Sequence, residues 1–346
     1  MSKKTSKKFK PPKPSLEHLK RLTDDTGLLQ HAKYIIPDRQ NGYCTDDNAR
    51  ALTVVSRYLK SYPDPQAGKL FEIYLAFLYH ALKPDKTVYN FLDNSRKWRT
   101  GESEHDALGR TIWAFGSVIA DPPNDDYIPF VKEFLFDASQ HIPSLPLRGI
   151  AYSMLGLSEF LRKFPNDSRS TKLLNIAADI LVKSYNKHSS AGWGWFEEIL
   201  SYANAILPAA MYAAARIFSS RTYLNIAEKT CSFLLENTYN GRYFSFIGSN
   251  GWYPKGKKRA QFDQQSIEAA DTCLMLANAY QATKNKKYLI LQKKAFGWFF
   301  GENDIGTPLY DQKTGGCCDG IGASGVNINQ GAESIVCFLL ARLSLI

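Results

Sequence analysis

The chain has 346 residues, 43 Lys and Arg against 33 Asp and Glu, a formal charge of +10, and 44% hydrophobic residues. The length exceeds a typical single domain, but closed barrels and toroids use it as one unit, and the apolar content supports a large core. No apolar run is long enough to span a bilayer and no secretory h-region follows the N-terminus, so the expectation is a soluble, cytoplasmic protein with no membrane partner.

Much of the positive charge is local. Residues 1–14 carry Lys3, Lys4, Lys7, Lys8, Lys10 and Lys13 with no acid, interleaved with Pro11, Pro12 and Pro14, and read as a disordered basic tail. Without that tail the body, residues 15–346, is too weakly basic to argue for nucleic-acid binding. Six cysteines (Cys44, Cys231, Cys273, Cys317, Cys318, Cys337) form no C-x-x-C pair, which fits reduced thiols better than disulfides or zinc.

Leu16 to Leu22 reads as a short helix ended by Thr23-Asp24-Asp25-Thr26-Gly27, and Gly27 to Tyr43 as an irregular loop. Next comes the strongest local signal, Gly42-Tyr43-Cys44-Thr45-Asp46-Asp47-Asn48-Ala49-Arg50-Ala51-Leu52. Thr45 suits an N-cap, Asp46 and Asp47 suit the positive end of the helix dipole, and Ala51, Leu52, Val54, Val55, Tyr58 and Leu59 follow at helical spacing. Polar starts of this kind recur near Ser103, Ser144, Asn204, Asp263 and Asn329. Ser103-Glu104-His105-Asp106 has capping-box spacing, and Ser144-Leu145-Pro146 places proline in a first turn.

Between these small-residue helices lie more charged, amphipathic ones, at about Gln66–Leu82, Tyr127–Ala138, Ser170–Tyr185, Arg221–Glu236 and Lys287–Phe300, with the N-terminal helix as a sixth. The starts recur every ~40–65 residues, too long and uneven for a short-repeat solenoid. Six inner and six outer helices make an all-α (α/α)6 toroid, a single six-hairpin barrel domain over residues 15–346. Its inner helices run in parallel, so their N-termini gather at one end. Aromatic and Gly-rich loops precede them, and Val88–Asp93 and Arg242–Ile247 have strand-like composition for short β-hairpins there.

The acids so gathered are Asp46, Asp47, Glu104, Asp106, Glu197, Glu198, Asp263, Glu268, Asp319 and Glu333. Around them come Tyr43, Trp98, Trp193, Trp195, Tyr202, Trp252 and Tyr253, and the polar groups Asn48, Arg50, His105, Arg110, Asn204, Gln264 and Asn329. Carboxylates with aromatic rings are the materials of a sugar site, and two carboxylates flanking a glycosidic bond suffice to hydrolyse it. Asp47 and Glu197 are the expected working pair, with Asp263 and Glu333 as further catalytic candidates. A separation of roughly 5–5.5 Å would make the enzyme retaining, and about 6.5–9.5 Å inverting. In Gly192-Trp193-Gly194-Trp195-Phe196-Glu197-Glu198 the tryptophans serve either as stacking platforms or as loop anchors. Leu147-Arg148-Gly149 offers a guanidinium for an anionic sugar, a phosphate or a loop carboxylate. No metal or cofactor is expected: histidines are sparse, no P-loop is present, and Gly320-Ile321-Gly322-Ala323-Ser324-Gly325 lacks a βαβ context.

The segment Gly42–Leu52, with Glu104-His105-Asp106-Ala107-Leu108-Gly109-Arg110, Trp195-Phe196-Glu197 and Asn329-Gln330-Gly331-Ala332-Glu333-Ser334, resembles a family of bacterial six-hairpin glycosidase-like proteins. Members are often encoded with, fused to, or labelled as glycosyltransferases. The resemblance runs from about Leu16 to the C-terminus. It implies the (α/α)6 barrel, carbohydrate chemistry and a possible glycosyltransferase partner. The readings that follow are a glycoside hydrolase acting on oligosaccharides, a sugar epimerase or isomerase, a phosphorylase, or a non-catalytic glycan-binding partner of a glycosyltransferase.

Overall fold

A computed structural model of the protein describes residues 11–101 and 105–345. An inner ring is formed by α2 (Thr45–Ser61), α4 (His105–Ala120), α6 (Leu147–Lys163), α8 (Ile206–Phe218), α10 (Ser266–Thr283) and α12 (Ala332–Ser344). Each packs on the next and α12 returns to α2, closing the ring. The outer ring is α1 (Glu17–Leu22), α3 (Pro65–Ala81), α5 (Ile128–Ser139), α7 (Ser168–His188), α9 (Arg221–Thr238) and α11 (Lys287–Gly297). α1 completes it by packing on α12, so the short N-terminal helix is the sixth outer member. The (α/α)6 toroid expected from the alternation is the fold observed. No helix of the described residues is long and apolar enough to cross a membrane.

Three outer helices cap their own N-termini. In α3, α7 and α9 the N-cap side chains of Asp64, Asp167 and Ser220 accept the N–H of Gln66, Ser170 and Tyr223. The N-caps of α2, α6, α8, α10 and α12 make no such bond, nor do those of the outer helices α1, α5 and α11. Thr45, expected as a cap, is the first residue of α2 and donates its hydroxyl to Tyr89 O at 2.6 Å. Asn90 serves α2 from outside, accepting the Thr45 N–H on its carbonyl at 2.8 Å. At α12 the cap is Asp319, whose Oδ1 accepts from Gly331 N at 2.8 Å and Ser334 Oγ at 2.9 Å. Borrowed caps leave the polar residues at these two helix starts free for the ring axis. The Ser103–Glu104 part of the expected capping box lies outside the described residues.

The loops at this end carry short antiparallel sheets. β1 (Leu29–Lys33), β2 (Ile36–Cys44) and β3 (Phe91–Leu92) form one, so the expected loop over Gly27–Tyr43 is largely a hairpin. Gly42 in β2 has φ +66° and lies so close to Leu92 O that a side chain there would overlap it. β4 (Ile199–Leu200) pairs with β5 (Tyr253–Pro254). β6 (Gln264–Gln265) pairs with β9 (Gly320–Gly322) and β9 with β10 (Gly325–Asn327), so the Gly-rich stretch is a hairpin. β7 (Tyr310–Asp311) pairs with β8 (Gly316–Cys317). Arg242–Ile247 contains no strand; Phe244 makes a single bridge to Tyr239.

Helices α4 and α6 approach most tightly through glycine. A Cβ on Gly116 would overlap the backbone of Gly156, and one on Gly156 the backbone of Ile112. In an exposed helix interior Gly→Ala stabilises by up to about 1 kcal/mol. Here Gly116→Ala should instead destabilise by about 1–3 kcal/mol, read as a lower urea midpoint, because the helices must separate. A raised midpoint would mean that the backbones are not in contact.

Candidate functional site

At the N-terminal ends of the inner helices a cavity of about 410 Å3 opens, lined chiefly by Asp46, Asp106, Arg110, Tyr202, Trp252 and Glu333. Helix N-termini favour negative charge, which suits carboxylates delivered by α2, α4 and α12. Two guanidiniums hold them. Arg50, only 2% exposed, donates to Asp47 Oδ1 at 2.7 Å and to Glu333 Oε2 at 3.0 Å, and its Nε lies 3.3 Å from Asp46 Oδ1. Arg110 donates to Asp46 Oδ2 and, at 3.2 Å, to the Tyr152 hydroxyl, over whose ring it also stacks. Tyr152 in turn donates to Asp271 Oδ2 at 3.1 Å.

Asp271 and Glu268 lie on α10, where every residue from Ser266 to Ala277 is buried. Burial pushes Glu268 up to about 8, Asp271 adding to the rise while the Asn204 amide at 3.2 Å opposes it. Burial pushes Asp271 up to about 7 against the pull of Arg110 and the Tyr152 hydroxyl. Burial likewise raises Asp47 to about 7 against Arg50, with Asp46 and Glu333 adding to the rise. For Arg50 burial disfavours the charge, but Asp46, Glu333, Cys337 and Asp47 outweigh it and fix the guanidinium as a cation.

The structure gathers part of the expected site and disperses the rest. Asp46, Asp106, Arg110, Tyr202, Trp252 and Glu333 meet at the cavity, with Arg50 behind them. The expected working pair does not line it. Asp47 is buried against Arg50, and Glu197 is ion-paired to Arg148 at 2.9 Å. Arg148 also donates to Ser201 Oγ at 2.8 Å and to Tyr202 O, so of its three expected uses it takes the loop carboxylate. Trp193 and Trp195 are buried, the first donating to Glu197 O at 2.7 Å, so they anchor the loop and offer no face to a sugar. Glu198 faces outward to Lys255.

Several other expected contacts are structural. Tyr43 is buried and donates to Asp24 Oδ2 at 2.8 Å. Asn48 clamps the Leu28 backbone through its N–H and C=O. Trp98 stacks on Tyr89 and packs against Phe77 and His80. Gln264 is buried, accepting from Phe246 N and Trp298 Nε1. Asn329 accepts from Tyr34 N at 2.9 Å. Asn204 is buried beside Glu268. Asp263 is exposed and lies, with Asp319, in a neighbouring chamber. Glu104 and the His105 side chain lie outside the described residues. The sequence reading missed Tyr152 and Asp271. The available signal for Asp271 was an acid three residues after Glu268, on a helix with no polar face to solvent.

The raised carboxylates carry a consequence for folding. Unfolded, Glu268 titrates near 4.5 and Asp47 and Asp271 near 3.8; folded, near 8, 7 and 7. Between these limits the folded chain holds protons that the unfolded chain has lost, so their contribution to stability is present at low pH and is lost as pH rises towards 8. The urea midpoint should therefore fall from pH 5 to pH 8, and Glu268→Gln, which cannot ionise, should lessen that fall. An unchanged slope in the variant would place the Glu268 titration elsewhere.

No protein-family model matches the chain, and no curated protein matches it in sequence. Solved structures match it over nearly its whole length. Cellobiose 2-epimerase from Bacillus thermoamylovorans aligns with a TM-score of 0.72 at 11% identity, over 95% of this chain and 94% of that one. D-mannose isomerase aligns at 0.71 and 9%, over 95% of each. The GH76 α-mannanase of Bacteroides thetaiotaomicron aligns at 0.65 and 12%, over 94% of this chain and 91% of that one. At these identities the likeness is one of fold: the chain shares with them the six-hairpin (α/α)6 barrel.

Proposed function

We propose that the protein is a carbohydrate-active enzyme and, more narrowly, a glycoside hydrolase that cleaves oligosaccharides in the cavity at the inner helix N-termini. One observation carries the reading: three carboxylates from three helices, Asp46, Asp106 and Glu333, face one space with the rings of Tyr202 and Trp252. Aromatic faces stack on pyranose rings, and carboxylates bind hydroxyls and move protons. Of the three acids Asp46 is committed to Arg50 and Arg110. Asp106 accepts the Tyr202 hydroxyl on Oδ2, and its Oδ1 has no partner among the described residues. Glu333 meets Arg50 through Oε2, and its side chain is 41% exposed. Asp106 and Glu333 are therefore the carboxylates assigned to the glycosidic bond, one protonating the leaving oxygen and the other driving attack. Arg50, itself held by Asp46 and Asp47, orients Glu333, and the Tyr202 hydroxyl orients Asp106.

Sugar epimerisation or isomerisation is the second reading. Its support is that cellobiose 2-epimerase and D-mannose isomerase superpose more closely than the α-mannanase does, 0.72 and 0.71 against 0.65. A histidine is the usual base for a proton beside a carbonyl; none is among the described residues lining the cavity, and the His105 side chain, beside Asp106, lies outside them. A phosphorylase loses its candidate cation, because Arg148 is taken up by Glu197, Ser201 and Tyr202. A glycan-binding partner of a glycosyltransferase would bind sugars without turnover. The six free thiols suit a reducing, cytoplasmic setting.

The test is incubation with gluco-, manno- and uronic-acid oligosaccharides in heavy water. Cleavage without solvent deuterium entering recovered sugars is expected, and Asp106→Asn and Glu333→Gln should each lower kcat by about 100-fold or more with the fold retained. Deuterium in an uncleaved, isomerised product would overturn hydrolysis in favour of epimerisation. Wild-type cleavage by either variant would remove that residue from the mechanism.

A further inference from the structure

Beside the first cavity lies a second of about 530 Å3, bounded by β6 and the β9–β10 hairpin. Ser249 and Gln265 line both, so the two chambers are neighbours that share a wall at these residues. Each is within the roughly 300–1,000 Å3 of small-molecule sites, so together they have room for more than one sugar ring.

The second chamber differs in chemistry from the first. Among the described residues its lining has no aromatic ring and no cationic side chain; its polar side chains include Asp263, Asp319, Ser324 and Asn327. The hairpin is Gly-rich, and Gly320 is required where β9 meets β6, since a Cβ there would overlap Gln264 O. Such a wall offers backbone and hydroxyl hydrogen bonds in place of stacking. The two carboxylates are set by different means. Asp319 is fixed by its bonds to Gly331 N and Ser334 Oγ. Asp263 sits in the left-handed region at φ +61°, its carbonyl accepting from Ser249 N at 3.0 Å and Ser249 Oγ at 3.2 Å, which ties it to the shared wall.

We infer that the second chamber is a glycan subsite that receives the further units of a neutral oligosaccharide whose reacting unit occupies the first cavity, and that its two carboxylates turn away uronic-acid or phosphorylated units. The inference rests on the carbohydrate reading of the first cavity and adds where the chain of sugars runs and which charge it carries. An uncharged hydroxylated ring satisfies carboxylates and backbone groups by hydrogen bonding. An anionic one meets like charge with no cation among the described lining residues to offset it.

Calorimetric titration of the whole protein with neutral gluco- and manno-oligosaccharides of one to four units, and with uronic-acid oligomers of the same lengths, tests it. Affinity should rise about tenfold between the lengths that fill one chamber and those that reach the second, and uronates should bind more weakly than neutral sugars of equal length. Asp263→Asn, which keeps a residue tolerant of positive φ, should narrow the uronate-to-neutral gap by about fivefold, the size of one unit-charge contact at about 4 Å in water. Affinity that stays flat with length, or an unchanged gap in the variant while short sugars still bind, would overturn the subsite and leave the first cavity's role intact. Failure of every sugar to bind would overturn both.

Discussion

Arg50 carries its charge almost out of contact with water, and the rest of the mouth is arranged around that fact. Taking a guanidinium from water costs several kcal/mol unless well-placed acceptors surround it. The acceptors come from different helices. Glu333 of α12 meets Arg50 of α2; Asp46 of α2 meets Arg110 of α4; Arg110 meets Tyr152 of α6; Tyr152 meets Asp271 of α10. Asn204, just before α8, meets Glu268 of α10. Five inner helices are thus tied at one end by one chain of polar contacts, the Asn204–Glu268 pair anchors the approach to α8, and apolar packing ties the ring along its length. Glycine contacts between α4 and α6 bring Arg110 and Tyr152 within reach of one another.

Burial, with the charges around it, explains why three of the acids here hold their protons longer. Two buried guanidiniums cannot fully offset Asp46, Asp47, Asp271, Glu268 and Glu333 together. The deepest of these, cut off from solvent on α2 and α10, keep protons to about 7 or 8. The cavity then presents a few carboxylates backed by fixed cations and by buried acids whose affinity for protons is raised. Such an arrangement is organised before any ligand arrives, which is where preorganised electrostatics has its effect.

The ring was legible because its signals are local and repeated: small-residue helices alternating with charged ones, and an acid-rich start in Thr45–Arg50. The cavity acids Asp46, Asp106 and Glu333 were legible for the same reason, being first-turn residues of inner helices. Trp193 and Trp195 misled because composition identifies a ring but not its burial, and their loop needed anchors more than it needed a platform. Asp47 and Asp46 are adjacent in sequence, yet a helix turns neighbours about 100° apart. One reaches the cavity and the other is buried, a choice fixed by where α12 and α4 sit. The β1–β2 hairpin was hidden because its turn, Tyr34-Ile35, carries none of the Gly, Asn or Asp residues that mark such turns, although Tyr34 has φ +54°.

The capping of α2 and α12 from neighbouring loops links fold to function. α3, α7 and α9 begin with their own Asp or Ser caps and need nothing from neighbours. Two inner starts instead lean on loops: Asn90 serves α2 and Asp319 serves α12. An N-cap side chain folded back on its own helix is lost to a ligand. By borrowing caps, α2 and α12 keep Asp46 and Glu333 for the cavity, and the loops that lend the caps, through Asn90 and Asp319, line the two chambers. The loops around the cavity are thereby bound to the helix ends they complete, so the shape of the mouth and the stability of the ring rest on the same hydrogen bonds.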